Sequence, residues 1–239
     1  MLYPDPRNHA LLRTEKRLRV NSASINWEHL DTILLDLDGT LLDLHYDNYF
    51  WLDYVPKRWA EQKGRTEEEC RQHLHLTYDE IRGTLDWYCL DYWSDRLGLD
   101  LVALKKEVLE KISLRPDAER FLEFLQSLEK KVILVTNGHR DGLEIKLAKT
   151  GISSLFSEIV SSHDFQVPKE QQSFWQQLQQ QHPFEPEKTL FVDDNESVLQ
   201  SAQLFGIQQL LQILQPDMQQ PARTAKHFPA IQHFSEILD

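Results

Sequence analysis

Four short polar runs carry the chemistry that can be read in this sequence. Asp36 and Asp38 stand two apart in Leu34-Leu35-Asp36-Leu37-Asp38-Gly39-Thr40, and Thr136 precedes Asn137. Lys169 sits in Val167-Pro168-Lys169-Glu170, and Asp193 precedes Asp194. On an extended segment residues i and i+2 point to the same side, so Asp36 and Asp38 can face one substrate. One carboxylate can attack phosphorus and form an aspartyl-phosphate. The other can protonate the leaving oxygen, then take a proton from the water that cleaves the intermediate. Four aspartates without an adjacent Lys or Arg repel one another, and a divalent cation relieves the repulsion. Hard oxygen ligands in small number suit Mg²⁺, which also uses water and phosphate oxygens and neutralises charge as a phosphoryl group transfers. Thr136 and Asn137 supply uncharged donors for phosphate oxygens, and Lys169, just before a helix, supplies a fixed cation.

These groups need elements that bring them to one place. Residues 32–35 form a short apolar, β-branched run, the pattern of a buried parallel strand, with Gly39 punctuating the turn beyond it. After Pro116 strands and helices alternate: helix 117–128, strand 131–135, helix 141–149 ended by Gly151, and strand 157–161. A glutamine-rich helix over 171–181, strand 189–192, a helix through Ala202 and a strand near 210–214 follow. The alternation predicts an α/β fold, a doubly wound parallel sheet. In such sheets reactive groups gather at the carboxyl ends of strands, where strand order reverses. Three of the polar runs fall at strand ends.

Residues 44–113 differ in character, rich in aromatics and charges and poor in strand signals. Thr66 followed by Glu67, Glu68 and Glu69 reads as a helix start, and Leu74, Tyr78, Ile81 and Leu85 as one helical face. Trp87, Leu90, Tyr92, Trp93 and Leu97 continue in a second helix that stops near Gly98. The stretch reads as an all-helical cap inserted after the first strand. The expected division is an N-terminal extension (1–28), a core (29–43 and 114–239) and the cap (44–113). The extension, with its basic cluster at Arg13, Lys16, Arg17 and Arg19, reads as a solvated segment, one helix laid on the surface.

A formal net charge of −12 argues against nucleic acid or an anionic membrane as partner. Cys70 and Cys89 give neither a zinc spacing nor a disulfide framework. The first residues lack the pattern of a signal peptide, and no run approaches the ~18 apolar residues of a membrane span. A cytoplasmic protein is expected, as a monomer or weak homodimer.

Taken together and in order, Asp36-Leu37-Asp38-Gly39-Thr40, Thr136-Asn137, Lys169 and Asp193-Asp194 resemble the four motifs of the haloacid dehalogenase-like hydrolase superfamily, from about Asp31 to Gly206. The resemblance implies a Rossmann-like core, with Asp36 as nucleophile and Asp38 as general acid/base. It implies that Thr136 and Lys169 bind phosphate. It also implies that Asp194, Asp36 and the Asp38 carbonyl hold Mg²⁺, with Asp193 a further or water-mediated ligand. Asp47-Asn48-Tyr49-Phe50-Trp51 and the run from Leu85 to Trp93 are similar to the cap of bacterial purine nucleotidases acting on GMP and IMP. That likeness implies a small phosphate monoester, a purine nucleoside monophosphate, as substrate.

Trp87, Tyr88 and His139 are candidates for substrate contact. Aromatics at three- to four-residue spacing also build the core that a helical cap needs, and this is the commoner role for any one of them. Competing with a 5′-nucleotidase are a phosphatase or phosphomutase for sugar phosphates, a dehalogenase, and a non-catalytic binding protein. Asp38 speaks against the dehalogenase, and the filled catalytic positions against the binding protein.

Overall fold

The computed structural model describes residues 25–238. The expected surface helix of the N-terminal extension and its basic cluster lie outside the described residues. Six strands form one parallel sheet: β1 (Thr32–Leu35), β2 (Lys131–Thr136), β3 (Glu158–Ser161), β4 (Thr189–Asp193), β5 (Gln209–Ile213) and β6 (Ala230–Ile231). Their spatial order is β3-β2-β1-β4-β5-β6. The chain therefore winds outward from β1 in one direction and then the other, as in a doubly wound fold. Leu35 pairs with Leu134 of β2 on one side and Val192 of β4 on the other. That register brings the carboxyl ends of these three strands level.

Six helices are inserted between β1 and residue 113. α1 (His45–Tyr49) runs through a π-helical turn, Phe50–Tyr54, into α2 (Val55–Lys63); then follow α3 (Glu67–Ile81), α4 (Leu85–Tyr88), α5 (Leu90–Leu97) and α6 (Leu101–Glu107). Thr66 starts α3 with a capping box: its Oγ1 accepts from the Glu69 N–H at 3.3 Å, and Glu69 Oε2 accepts from the Thr66 N–H at 3.0 Å. The face expected to run from Leu74 to Leu85 is interrupted, because Gly83 takes a φ of 76° and separates α3 from α4. The second expected helix is likewise broken. Cys89 adopts an extended conformation and restarts the chain as the N-cap of α5.

Five helices cover the sheet: α7 (Ala118–Ser127), α8 (Arg140–Thr150), α9 (Ser162–Phe165), α10 (Gln172–Gln181) and α11 (Glu196–Phe205). Alternation along β1 sends Ile33 and Leu35 to one face, where they pack with Phe121, Leu122 and Leu125 of α7 and with the aromatic centre of the inserted helices. Leu34 faces the other way, into Phe174, Trp175 and Leu178 of α10 and Val198, Leu199 and Ala202 of α11. Each large side chain buried this way contributes about 1.5–3 kcal/mol. Along α10, Phe174, Trp175 and Leu178 hold the buried face, while Gln172, Gln177 and Gln179 are half-buried and donate to Ser201, Phe165 and Phe184. Among the described residues no helix is long and apolar enough to cross a membrane.

The inserted helices join the sheet through two short stems. The Asp43 N–H donates to the Ser113 carbonyl at 3.0 Å, and the Arg115 N–H donates to the Leu41 carbonyl at 2.9 Å. Leu42 and Leu114 form an antiparallel bridge between them.

Candidate active site

The strand ends place the polar runs. Asp36 follows β1 and still pairs through its N–H with the Val192 carbonyl, at 3.0 Å. The chain then curls: the Leu41 and Leu42 N–H groups both donate to the Leu37 carbonyl, and Gly39 turns the loop with a φ of 87°. A methyl at Gly39 would lie 2.8 Å from Pro216 Cβ and 3.0 Å from Asp194 Cγ, so glycine lets the two aspartate loops approach. Thr136 ends β2, Asp193 ends β4, and Lys169 arrives from the loop ahead of α10.

Lys169 is buried with all three donors used. Its Nζ lies 2.6 Å from Asp36 Oδ1, 2.7 Å from Asp193 Oδ2 and 3.1 Å from the Val135 carbonyl. Burial alone would pull this ammonium down, but Asp193 and Asp36 hold it above its ordinary range. Burial raises the Asp36 carboxyl, against the pull of Lys169, and the charge of Asp194 raises it further. Asp193 is raised strongly, again by burial. Its second oxygen accepts from the Asn195 N–H at 2.8 Å. Asp194 Oδ2 accepts from Arg223 at 3.2 Å.

A second lysine serves Asp38. Lys146 Nζ, from α8, bonds Asp38 Oδ1 and Asp47 Oδ2, each at 2.6 Å, and Asp47 Oδ1 accepts from Lys105 Nζ at 2.9 Å. Lys105, Asp47, Lys146 and Asp38 thus form a buried chain of alternating charge from α6 to the catalytic loop. Burial pushes the Asp38 carboxyl up to about 6, with Lys146 pulling it back and Asp47 and Asp36 pushing it on. Asp47 is buried too, yet its two lysines hold it below the carboxylate range.

Asn137 lines the cavity beside Thr136 and also braces the Lys169 loop. Its Oδ1 accepts from the Lys169 N–H at 2.9 Å and its Nδ2 donates to Glu170 Oε2 at 3.0 Å. The second N–H of Nδ2 is left to donate. The Thr136 hydroxyl oxygen accepts from the Gly138 N–H at 2.9 Å, which leaves its proton to donate. Tyr88 donates to Glu170 Oε1 at 2.8 Å and so ties the inserted helices to the Lys169 loop. Trp87 is buried edge-to-face against Tyr78 at 5.4 Å, with Arg82 5.8 Å over its ring. His139 caps α8, accepting from the Asp141 N–H.

All ten residues singled out in the sequence line one cavity of about 240 Å³ between the inserted helices and the sheet. Lys146, Asp47, Lys105 and Arg223 were missed. Nothing local in the sequence marks them, and only tertiary structure pairs them. Asp43, just past the first polar run, holds turns: its Oδ1 accepts from the His45 and Met218 N–H groups, both at 3.0 Å.

The carboxylates of Asp36, Asp193 and Asp194 can each turn an oxygen to within 4.8 Å of the others, all buried. Three buried carboxylates against Lys169 and Arg223 leave a residual negative charge, and an all-oxygen donor set fits a hard divalent cation such as Mg²⁺.

The fold and these motifs define a class. A family model described as haloacid dehalogenase-like hydrolase matches residues 30–206, and the chain belongs to that family. It is an enzyme, a phosphoric monoester hydrolase. Over 215 residues it is 39% identical to the GMP/IMP nucleotidase YrfG of Escherichia coli (strain K12), covering 90% of this chain and 97% of that protein. It is 24% identical over 190 residues to (S)-2-haloacid dehalogenase 2 of Pseudomonas sp. (strain CBS-3), covering 74% and 80%. The crystal structure of a HAD phosphatase from Thermococcus onnurineus superposes with a TM-score of 0.75 at 21% identity, covering 87% of this chain and 95% of that one, a likeness of fold.

Proposed function

We propose that this enzyme is a Mg²⁺-dependent 5′-nucleotidase that dephosphorylates the purine nucleoside monophosphates GMP and IMP through an aspartyl-phosphate on Asp36. The chemistry rests on one observation: two carboxylates two residues apart at a sheet switch point, each fixed by its own buried lysine. The purine substrate rests on the 39% identity to a GMP/IMP nucleotidase across nearly the whole chain.

Lys169 holds Asp36 by Oδ1, so Oδ2 is the oxygen that attacks phosphorus, and the nearby ammonium favours the ionised, nucleophilic carboxylate. As the P–O bond to the nucleoside breaks, Asp38 gives its proton to the leaving 5′-oxygen. The resulting carboxylate takes a proton from the water that attacks the phosphoaspartate, which restores Asp36 and releases phosphate. A pKa of about 6 suits both duties near neutral pH. The Thr136 hydroxyl donates to a phosphate oxygen, while Asn137 keeps Lys169 in place. Mg²⁺ held by Asp36, Asp194 and the Asp38 carbonyl, with Asp193 alongside, would neutralise charge on the transferring phosphoryl group. Residues 44–113 act as a cap domain over the core (29–43 and 114–239), and Trp87, Tyr88 and His139 face the nucleoside. The enzyme works in the cytoplasm as a monomer or weak homodimer, on small phosphate monoesters rather than nucleic acid or membranes.

Phosphate release from GMP, IMP, AMP and a set of sugar phosphates, with and without Mg²⁺, tests the reading. GMP and IMP are expected to lead, and Asp36→Asn to abolish release while the protein stays folded. Inert GMP and IMP, or preferred sugar phosphates, would overturn the substrate; an active Asp36→Asn would overturn the nucleophile.

A further inference from the structure

Three side chains that the proposed reaction does not use for chemistry converge where the inserted helices meet the sheet. Cys89 starts α5, His139 caps α8, and His163 lies in α9. One ligand atom from each falls within 4.8 Å of the other two. The imidazoles meet edge-to-face at 4.9 Å, and Asp91 Oδ2, from α5, lies 3.5 Å from His139 Nε2.

The state of His163 points to a ligand. Its Nε2 is buried and has no hydrogen-bond partner among the described residues. A neutral imidazole with its proton on Nδ1 presents the Nε2 lone pair, the arrangement by which metal-ligating histidines are oriented. Packing of the two rings does not satisfy that nitrogen, and an unsatisfied buried polar atom is costly. Cys89 is a free thiol whose Sγ has only a long 3.5 Å contact from the Tyr92 N–H.

We propose that Cys89, His139 and His163 form a second metal site for a transition ion of the Zn²⁺ type, clasping the inserted helices to the sheet, with the fourth position taken by water or by the exposed Asp91 carboxylate beside His139. Tetrahedral Zn²⁺ with Zn–S near 2.3 Å and Zn–N near 2.0 Å sets its ligands about 3.5 Å apart, so side-chain rotation of roughly 1 Å closes the set. His163 binds through its unpartnered Nε2; His139 binds through Nε2 once its proton has moved to Nδ1, giving up the cap bond from the Asp141 N–H, and the Cys89 thiol releases its proton to solvent. Thiolate and imidazole select Zn²⁺ over Mg²⁺, whereas the all-carboxylate Asp36 site has the opposite preference. Because Cys89 and Asp91 come from the insert and the histidines from the sheet side, an ion here holds the two together.

Cobalt(II) is the probe, titrated into the full chain with excess Mg²⁺ occupying the aspartate site. One equivalent is expected to give a thiolate-to-cobalt charge-transfer band and the intense visible bands of tetrahedral coordination. Cys89→Ser, which keeps a good N-cap for α5, should lose the charge-transfer band, and His163→Gln should weaken binding at least tenfold. Zn²⁺ should raise the Tm of the wild type but not of Cys89→Ser. Circular dichroism of both metal-free variants should match the wild type. A weak octahedral spectrum, or an unchanged spectrum in Cys89→Ser, would overturn the site whether or not nucleotides prove to be the substrates.

Discussion

Lys146→Met removes the ammonium between Asp38 and Asp47, and its effect on stability should depend on pH in a way that isolates Asp38. In the folded enzyme this carboxyl titrates at about 6, against ~3.9 in an unfolded chain. A raised folded pKa means the associated stability is fully present below about pH 4 and is lost as pH climbs to 6, about 3 kcal/mol in all. Above 6 the folded carboxyl ionises as well, and the loss stops. Without Lys146 the folded Asp38 keeps its proton to higher pH, so the loss continues at about 1.4 kcal/mol per pH unit. At pH 5 Asp38 is protonated either way, and the variant should be weaker by about 3 kcal/mol because Asp47 has lost one of its two buried cations. Between pH 6 and 8 that gap should widen by about 2 kcal/mol. Urea denaturation followed by tryptophan fluorescence, in buffers with a chelator at pH 5, 6, 7 and 8, measures it. A gap that stays constant from pH 5 to 8 would refute the claim that Lys146 sets the ionisation of Asp38.

Gly39→Ala forces a methyl against Pro216 and Asp194 at a φ of 87°; a loss of about 2–3 kcal/mol in thermal denaturation is expected, together with weaker Mg²⁺ dependence of phosphate release as Asp194 is displaced. Lys169→Met strands Asp36 and Asp193 without their shared cation; phosphate release at pH 7 should fall about 10²–10³-fold, and the stability loss should shrink in acid as the freed carboxyls take up protons. Tyr88→Phe deletes the 2.8 Å bond to Glu170; it should lower stability by about 1.5 kcal/mol, and an unchanged melting curve would mean that this bond does not tie the insert to the Lys169 loop.

The strands and the polar clusters at their ends were legible because both signals are local. An apolar run such as Thr189 to Val192 followed by two aspartates needs no distant information to be read as a buried strand with a reactive end. The counter-charges were not legible, because Lys146 meets Asp38 and Asp47 across 108 and 99 residues. In sequence it is one more lysine on a helix. The argument that clustered aspartates demand a cation was sound in its electrostatics, but two buried lysines share that task with any metal. Asn137 carried a motif signal that said where it sits and not which way its amide points. The breaks at Gly83 and Cys89 escaped periodicity, since the apolar spacing continues across both while the backbone does not.

The stems that pair at Leu42 and Leu114 have a consequence for how such an enzyme changes over generations. Everything between them begins and ends at one antiparallel bridge beside the catalytic loop, while the register of β1 with β2 and β4 is set by residues outside that stretch. Insertions, deletions or wholesale exchange of the intervening helices leave the strand that carries Asp36 where it was. The entropic penalty of a longer connection grows only logarithmically, about 0.6 kcal/mol for each doubling. Selection can therefore experiment with what the enzyme admits without renegotiating how it breaks a phosphate ester. A constraint it carries along is the charge chain from Lys105 to Asp38, which any replacement helices would have to re-create or dissolve.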